Sequence, residues 1–220
     1  MINTLLRIHP LGKVNSLPLQ ATLHLFSEVR VSVAYFITHP EVVVDPDTPV
    51  PQWHLSDKGV HRMRAFASQA ALGRLSAVWA STETKAIEAA GILAGHFGLP
   101  VGVHHGLHEN DRSATGFLPP SEFDRMADAF FAKPEESVRG WERAVDAQAR
   151  VAAALDDILK GFSGESIGLV AHGGVGSLLL CKYLGIPITR TADQPFQGHF
   201  WAFDVATRRV IHRWREIAPT

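Results

Sequence analysis

The ten residues Val31 to Pro40, VSVAYFITHP, constrain this chain more than any other stretch. Val31, Val33, Ala34, Tyr35, Phe36 and Ile37 make a continuous apolar run, rich in β-branched and aromatic side chains, that stops at Thr38-His39-Pro40. A strand apolar on both faces needs cover on both faces, which is the condition of a parallel sheet between layers of helices. His39 then lies just past the carboxyl end of the strand, on the rim where open α/β sheets bind ligands. Pro40 fixes its own φ and biases His39 toward extended backbone, so the imidazole is presented by a stiff segment. By itself the segment also reads as a histidine that merely begins a loop, which is the commoner case.

Helical and strand periods alternate along the rest of the chain. Ser56 is expected to cap a helix on which Val60, Met63, Ala67 and Ala70 recur on one face. Leu75 to Ala80 reads as a second strand. Ser81 or Thr82 is expected to cap the next helix, which Gly98 stops. Val101 to Val103 is a third strand. Helices follow over Ser121 to Phe131 and from Ser137 to Gly161, the second with Trp141 on its apolar face. Ile167 to Ala171 is a fourth strand, leading through HGGVG into a helix from Ser177 to Leu184. The tail, His199 to Ile217, reads as two strands around Ala206-Thr207-Arg208. Such alternation implies crossover connections and a three-layer α/β/α sandwich with a mostly parallel sheet, the last strands antiparallel. Residues 31–220 are expected to be a single domain. Residues 1–30 lack an apolar core of signal-peptide length and are set apart as an N-terminal extension of unknown role.

At 220 residues and 46% apolar, one domain can bury a large core without disulfides or metals. The lone cysteine, Cys181, lies in an apolar context (LLLCKYL) and is expected to be a buried thiol, which points to a reducing, cytoplasmic setting. A net charge of −1 argues against nucleic-acid partners and anionic membranes. The longest apolar stretch, Ile167 to Cys181, is broken by His172 and four glycines, so no span of a bilayer is expected.

Four polar groups fall just after strands: Thr38-His39, Ser81 to Lys85, His108-Glu109 and His172 with its glycines. If the strands are parallel, all four open on one rim. A lysine near a helix start attracts an anion, an imidazole can attack phosphorus, and a carboxyl group can move a proton, a set that suits phosphoryl transfer. The glycines at 173, 174 and 176 are expected to let backbone approach a bound group closely. The histidines 104, 105 and 108 lack cysteine partners and an HExxH spacing, so no metal site is expected. Nucleophile-elbow, phosphate-loop and dinucleotide-binding patterns are absent from the sequence.

These segments also resemble a known family. The strand followed by THPE (Thr38 to Glu41), LSDKG (Leu55 to Gly59), STETKAIEAA (Ser81 to Ala90), LHE (Leu107 to Glu109) and VAHGGV (Val170 to Val175) are similar, in order and spacing, to the histidine phosphatase superfamily, the phosphoglycerate mutase-like family. The resemblance implies a phosphomonoester hydrolase without cofactor, acting on a small phosphorylated substrate through a phosphohistidine. Under it His39 is the nucleophile, His172 the phosphate-binding second histidine, Glu109 the acid–base carboxylate and Lys85 a phosphate ligand. Thr38 and Gly173 would border the phosphate. The family's arginine before the nucleophile is Thr38 here, and its following glycine is Pro40. Threonine cannot supply the bidentate fork of a guanidinium. Arg112 is the candidate for incoming positive charge, ahead of Arg139 and Arg190. The alternatives are a weak or inactive relative that binds a phosphorylated ligand or protein partner, and a phosphotransferase of the mutase type. Nothing in the sequence bars a homodimer.

Overall fold

A computed structural model describes residues 32–69 and 72–219. The N-terminal extension, together with Val31 and Ala70, lies outside the described residues. Strand β1 (Val33–Thr38) is followed by helix α1 (Asp57–Ala67), β2 (Ala77–Ala80), α2 (Thr84–Phe97) and β3 (Val101–Val103). Then come α3 (Pro120–Ala132), α4 (Ala144–Leu159), β4 (Ser166–Ala171), α5 (Gly173–Leu184), β5 (His199–Asp204) and β6 (Val210–Glu216). The strands form one sheet in the order β3-β2-β4-β1-β5-β6. β3, β2, β4 and β1 run parallel, whereas β5 and β6 are antiparallel additions.

The apolar run of β1 does what a two-faced strand must. Ala34 and Phe36 enter the core under α3, α4 and α5, while Ile37 enters the core under α1 and α2. On β4, Ile167, Leu169 and Ala171 take the first side and Val170 the second. Period-2 alternation thus splits one strand between two cores, and each large side chain so buried contributes about 1.5–3 kcal/mol. The result is three layers, with β1 and β4 central and their carboxyl ends side by side.

Local chemistry explains some of the helix ends. The Ser56 hydroxyl accepts from Gly59 N at 3.1 Å and caps α1. Gly98, at φ +66°, closes α2 in the left-handed conformation that a side chain would disfavour. Three expectations need correction. Neither Ser81 nor Thr82 is the N-cap of α2; Glu83 holds that position, and Ser81 turns to His172 instead. α4 begins at Ala144, because Arg139 (φ 49°) and Gly140 (φ 83°) hold left-handed backbone that no α-helix can contain. Trp141 therefore reaches the core from a loop, 2% exposed. α5 starts at Gly173, directly after His172, four residues earlier than expected. Cys181 is buried on α5. Among the described residues no helix is long and apolar enough to cross a membrane.

Candidate active site

Parallel strands bring the expected loops to one rim. His39 leaves the end of β1 and His172 the end of β4, and their rings meet edge to face with centroids 5.3 Å apart. His39 N donates to Ala171 O at 3.2 Å, so the ladder between the two strands continues into the site. His39 Nδ1 lies 2.9 Å from the carbonyl of Pro40. A carbonyl only accepts, so Nδ1 carries the hydrogen and Nε2 keeps its lone pair in the neutral ring. Burial, then the proximity of His172 and Lys85, pushes His39 down to about 3, so the ring is neutral near pH 7.

His172 is 1% exposed. Its Nε2 lies 2.6 Å from Ser81 Oγ and 3.4 Å from Glu83 Oε1, and its Nδ1 has no protein partner. Burial lowers its affinity for a proton, although Glu83 and Glu109 oppose that effect. Lys85 is not a solvated helix lysine. It is 4% exposed, bonded to Glu83 Oε2 at 2.5 Å and to the carbonyl of Val50 at 2.8 Å. Burial acts to raise Glu83, but His172 and Lys85 outweigh it and hold the carboxyl well below its usual range.

Glu109 enters from the loop after β3 and lies at the N-terminus of α5. Its Oε2 accepts from Gly174 N at 3.1 Å, and its Oε1 accepts from Val175 N and Asn110 N, each at 3.0 Å. A carboxylate is favoured there by the free amide donors of the first turn. Burial raises Glu109, yet Arg112 and His172 bring it below the ordinary value, so it is ionised at neutral pH. Arg112 Nη2 stands 3.6 Å from Glu109 Oε2, and its guanidinium covers the rings of Phe123 and Trp141 at 5.1 and 5.5 Å.

A sequence profile for the histidine phosphatase superfamily (branch 1) matches residues 45–199. The chain belongs to the histidine phosphatase superfamily. The match starts after His39, so the place of that residue at the rim comes from the fold. Similar solved structures include a mycobacterial glucosyl-3-phosphoglycerate phosphatase, at 20% identity over 86% of this chain and 100% of that one, with a TM-score of 0.67. Bacillus stearothermophilus YhfR gives 21% identity over 86% and 98% of the two chains, with a TM-score of 0.69. A phosphoserine phosphatase from Entamoeba histolytica gives 16% identity over 86% and 98%, with a TM-score of 0.66. At these identities the likeness is one of fold. No curated protein matches the sequence.

Against that family background, the residues expected from sequence divide clearly. His39, His172, Lys85, Glu109, Arg112 and Gly173 gather at one rim. Arg139 pairs with Glu122, and Arg190 with Asp124 and Asp128. Thr38 is present but fully buried. It donates to Gln194 Oε1 at 2.7 Å and accepts from His199 N at 3.0 Å, which leaves its hydroxyl committed within the protein. The three glycines after His172 make room for neighbouring side chains, Gly173 for Gln194. A Cβ on Gly174 would meet Glu109 Oε1 at 2.7 Å, and one on Gly176 would meet Phe36 and Trp214. In the sequence Ser81 reads as a cap and Glu83 only as part of the polar stretch Ser81 to Lys85, and nothing there points to Asn110 or Gln194. Glu83 sits two residues before Lys85, a spacing that shows no shared helical face. Gln194 carries no motif at all.

Proposed function

We propose that the chain is a phosphomonoester hydrolase in which His39 carries the phosphoryl group. The observation that carries this reading is the pair of neutral, edge-to-face histidines, one with Nδ1 tied to Pro40 and therefore Nε2 free to attack. In the first step Nε2 forms a bond to phosphorus as the ester P–O bond breaks, and the alcohol leaves with a proton. In the second, water attacks phosphorus, the N–P bond breaks, and inorganic phosphate departs. His172 Nε2 is held by Ser81 Oγ and Glu83, and its Nδ1, without a protein partner, is the nitrogen left for a phosphoryl group.

The charges of the site shape the proton traffic. Lys85 faces Glu83 and Arg112 faces Glu109, so the two cations and two carboxylates cancel, and both histidines are neutral. A site without net positive charge favours the phosphate monoanion, which brings the leaving-group proton with it. Glu109, already ionised, is then suited to take a proton from the attacking water rather than to give one in the first step. The rate should therefore rise as the pH is lowered toward the second phosphate pKa of about 6.

The test is hydrolysis of a panel of small phosphate monoesters by wild type and His39→Ala, in chelator, across pH. Turnover that survives chelation and disappears with His39 supports the reading; equal turnover by His39→Ala refutes it. The committed hydroxyl of Thr38 and the balanced charges favour a second reading, a slow relative that binds a phosphorylated ligand. Phosphate binding without turnover by wild type would select it.

A further inference from the structure

Thr38 stands where an arginine would be expected, yet the structure does not leave its surroundings without a donor. The Thr38 hydroxyl donates to Gln194 Oε1 at 2.7 Å across 156 residues of sequence, the shorter of its two acceptors, the other being the His199 carbonyl at 3.1 Å. That bond orients the amide: its oxygen faces β1 and its nitrogen faces away. The nitrogen lies over the start of α5, since a Cβ on Gly173 would fall 2.3 Å from Gln194 Nε2. Gln194 thus touches the residue before one histidine and the residue after the other. The backbone around it is anchored as well. Gln194 N donates to Asp193 Oδ1 at 2.8 Å, and the same oxygen accepts from Ser177 Oγ on α5 at 2.8 Å. Among the described residues, Nε2 has no hydrogen-bond acceptor, and the residue is only partly buried.

We propose that the Gln194 amide, oriented by Thr38, donates hydrogen bonds to the bound phosphoryl group and replaces the arginine that Thr38 displaces. This deepens the phosphohistidine reading and depends on it. The chemistry fits: a primary amide offers two N–H donors on a planar group, and it is neutral, so it packs beside the buried Thr38 hydroxyl without the desolvation cost of a guanidinium. A lone amide is a weaker anion ligand than a charged fork, in keeping with a site whose other cations are each paired. Glycine at 173 leaves the amide its place, because a Cβ there would displace Gln194 from the position it holds.

The experiment is calorimetric titration of the full chain with inorganic phosphate, for wild type, Gln194→Leu and Gln194→Glu, with steady-state kinetics on one monoester. Loss of a hydrogen bond to a charged group predicts affinity lower by about tenfold or more in Gln194→Leu. Gln194→Glu keeps the acceptor for Thr38 but sets an oxygen where the amide nitrogen was, so its loss should be larger. Thr38→Val, which removes the orienting bond and the acceptor of His199 N but leaves the Gln194 amide in place, should weaken phosphate in the same direction by less. Melting temperatures near that of wild type would show that Gln194→Leu and Gln194→Glu are folded. Wild-type phosphate affinity in either folded Gln194 variant, with turnover still dependent on His39, overturns the inference and leaves the hydrolase standing. A wild-type protein that neither binds phosphate nor hydrolyses esters overturns both.

Discussion

Two buried polar clusters in this molecule look alike by composition and differ in how completely they are satisfied. Arg62 on α1 is 1% exposed and spends every donor: Nε goes to Ala218 O, Nη1 to Glu41 Oε2 and Gln197 O, and Nη2 to Gly198 O, Glu216 Oε1 and Ala218 O. It ties α1 to the last strand and to the loop before β5. At the rim, by contrast, His172 Nδ1 and Asn110 Nδ2 are buried without protein partners, and the nucleophilic face of His39 is uncommitted. A satisfied network holds a fold together, whereas unpartnered atoms among titratable groups are ready for a ligand. Trp201 Nε1 sets the limit of this rule. It too lacks a partner, but the rings of Phe36, Phe203 and Tyr183 pack against it in the core, away from the rim where the histidines meet.

The contrast can be broken at either end. His39→Ala should lower turnover by on the order of 10⁴-fold or more while leaving the melting temperature close to wild type, since nothing structural hangs on Nε2. A large drop in stability instead would place His39 with the structural groups. Arg62→Met should do the reverse. Removing one member of a buried ion pair strands Glu41 and several carbonyls, and denaturant unfolding should show a loss of about 3–5 kcal/mol. That is a large share of a typical domain's stability. An unchanged midpoint for Arg62→Met would mean that the network contributes no more than its apolar replacement.

Acid should expose the cost of keeping a histidine neutral. The folded pKa of His39 is lowered to about 3 from an ordinary 6.5, so between those values the unfolded chain binds more protons than the folded one. Stability contributed this way is full above pH 6.5 and declines as the pH falls toward 3, by about 2 kcal/mol at pH 5. In His39→Gln the slope of stability against pH between 5 and 7 should flatten; an identical slope would assign the effect to other groups. The smallest expected change is at the cap of α1, where Ser56→Ala should cost about 1 kcal/mol, read from the same unfolding curves, without altering phosphate affinity.

The periodicity of β1 and the spacing of its successors were enough to place four polar loops on one rim, because a two-faced apolar strand followed by helical periods admits few arrangements. For the same reason His39, His172, Lys85 and Glu109 were legible: each sits at a strand end or a helix start, positions that local pattern defines. Their states were not. That Lys85 is locked to Glu83, that the Glu109 carboxylate occupies the first turn of α5, and that Arg112 lies over two aromatic rings depend on contacts across loops whose course carries no period. The glycines after His172 illustrate the gap. Sequence marked them as places of close approach, but only the fold shows that Gly174 admits Glu109 and Gly173 admits Gln194. Short-range pattern was enough for the layering and for the chemical types at the rim. Which charges cancel, which nitrogen stays free and what holds the Thr38 hydroxyl came only with the packed fold, since hydrogen bonding and desolvation depend on neighbours that lie as far as 161 residues away along the chain.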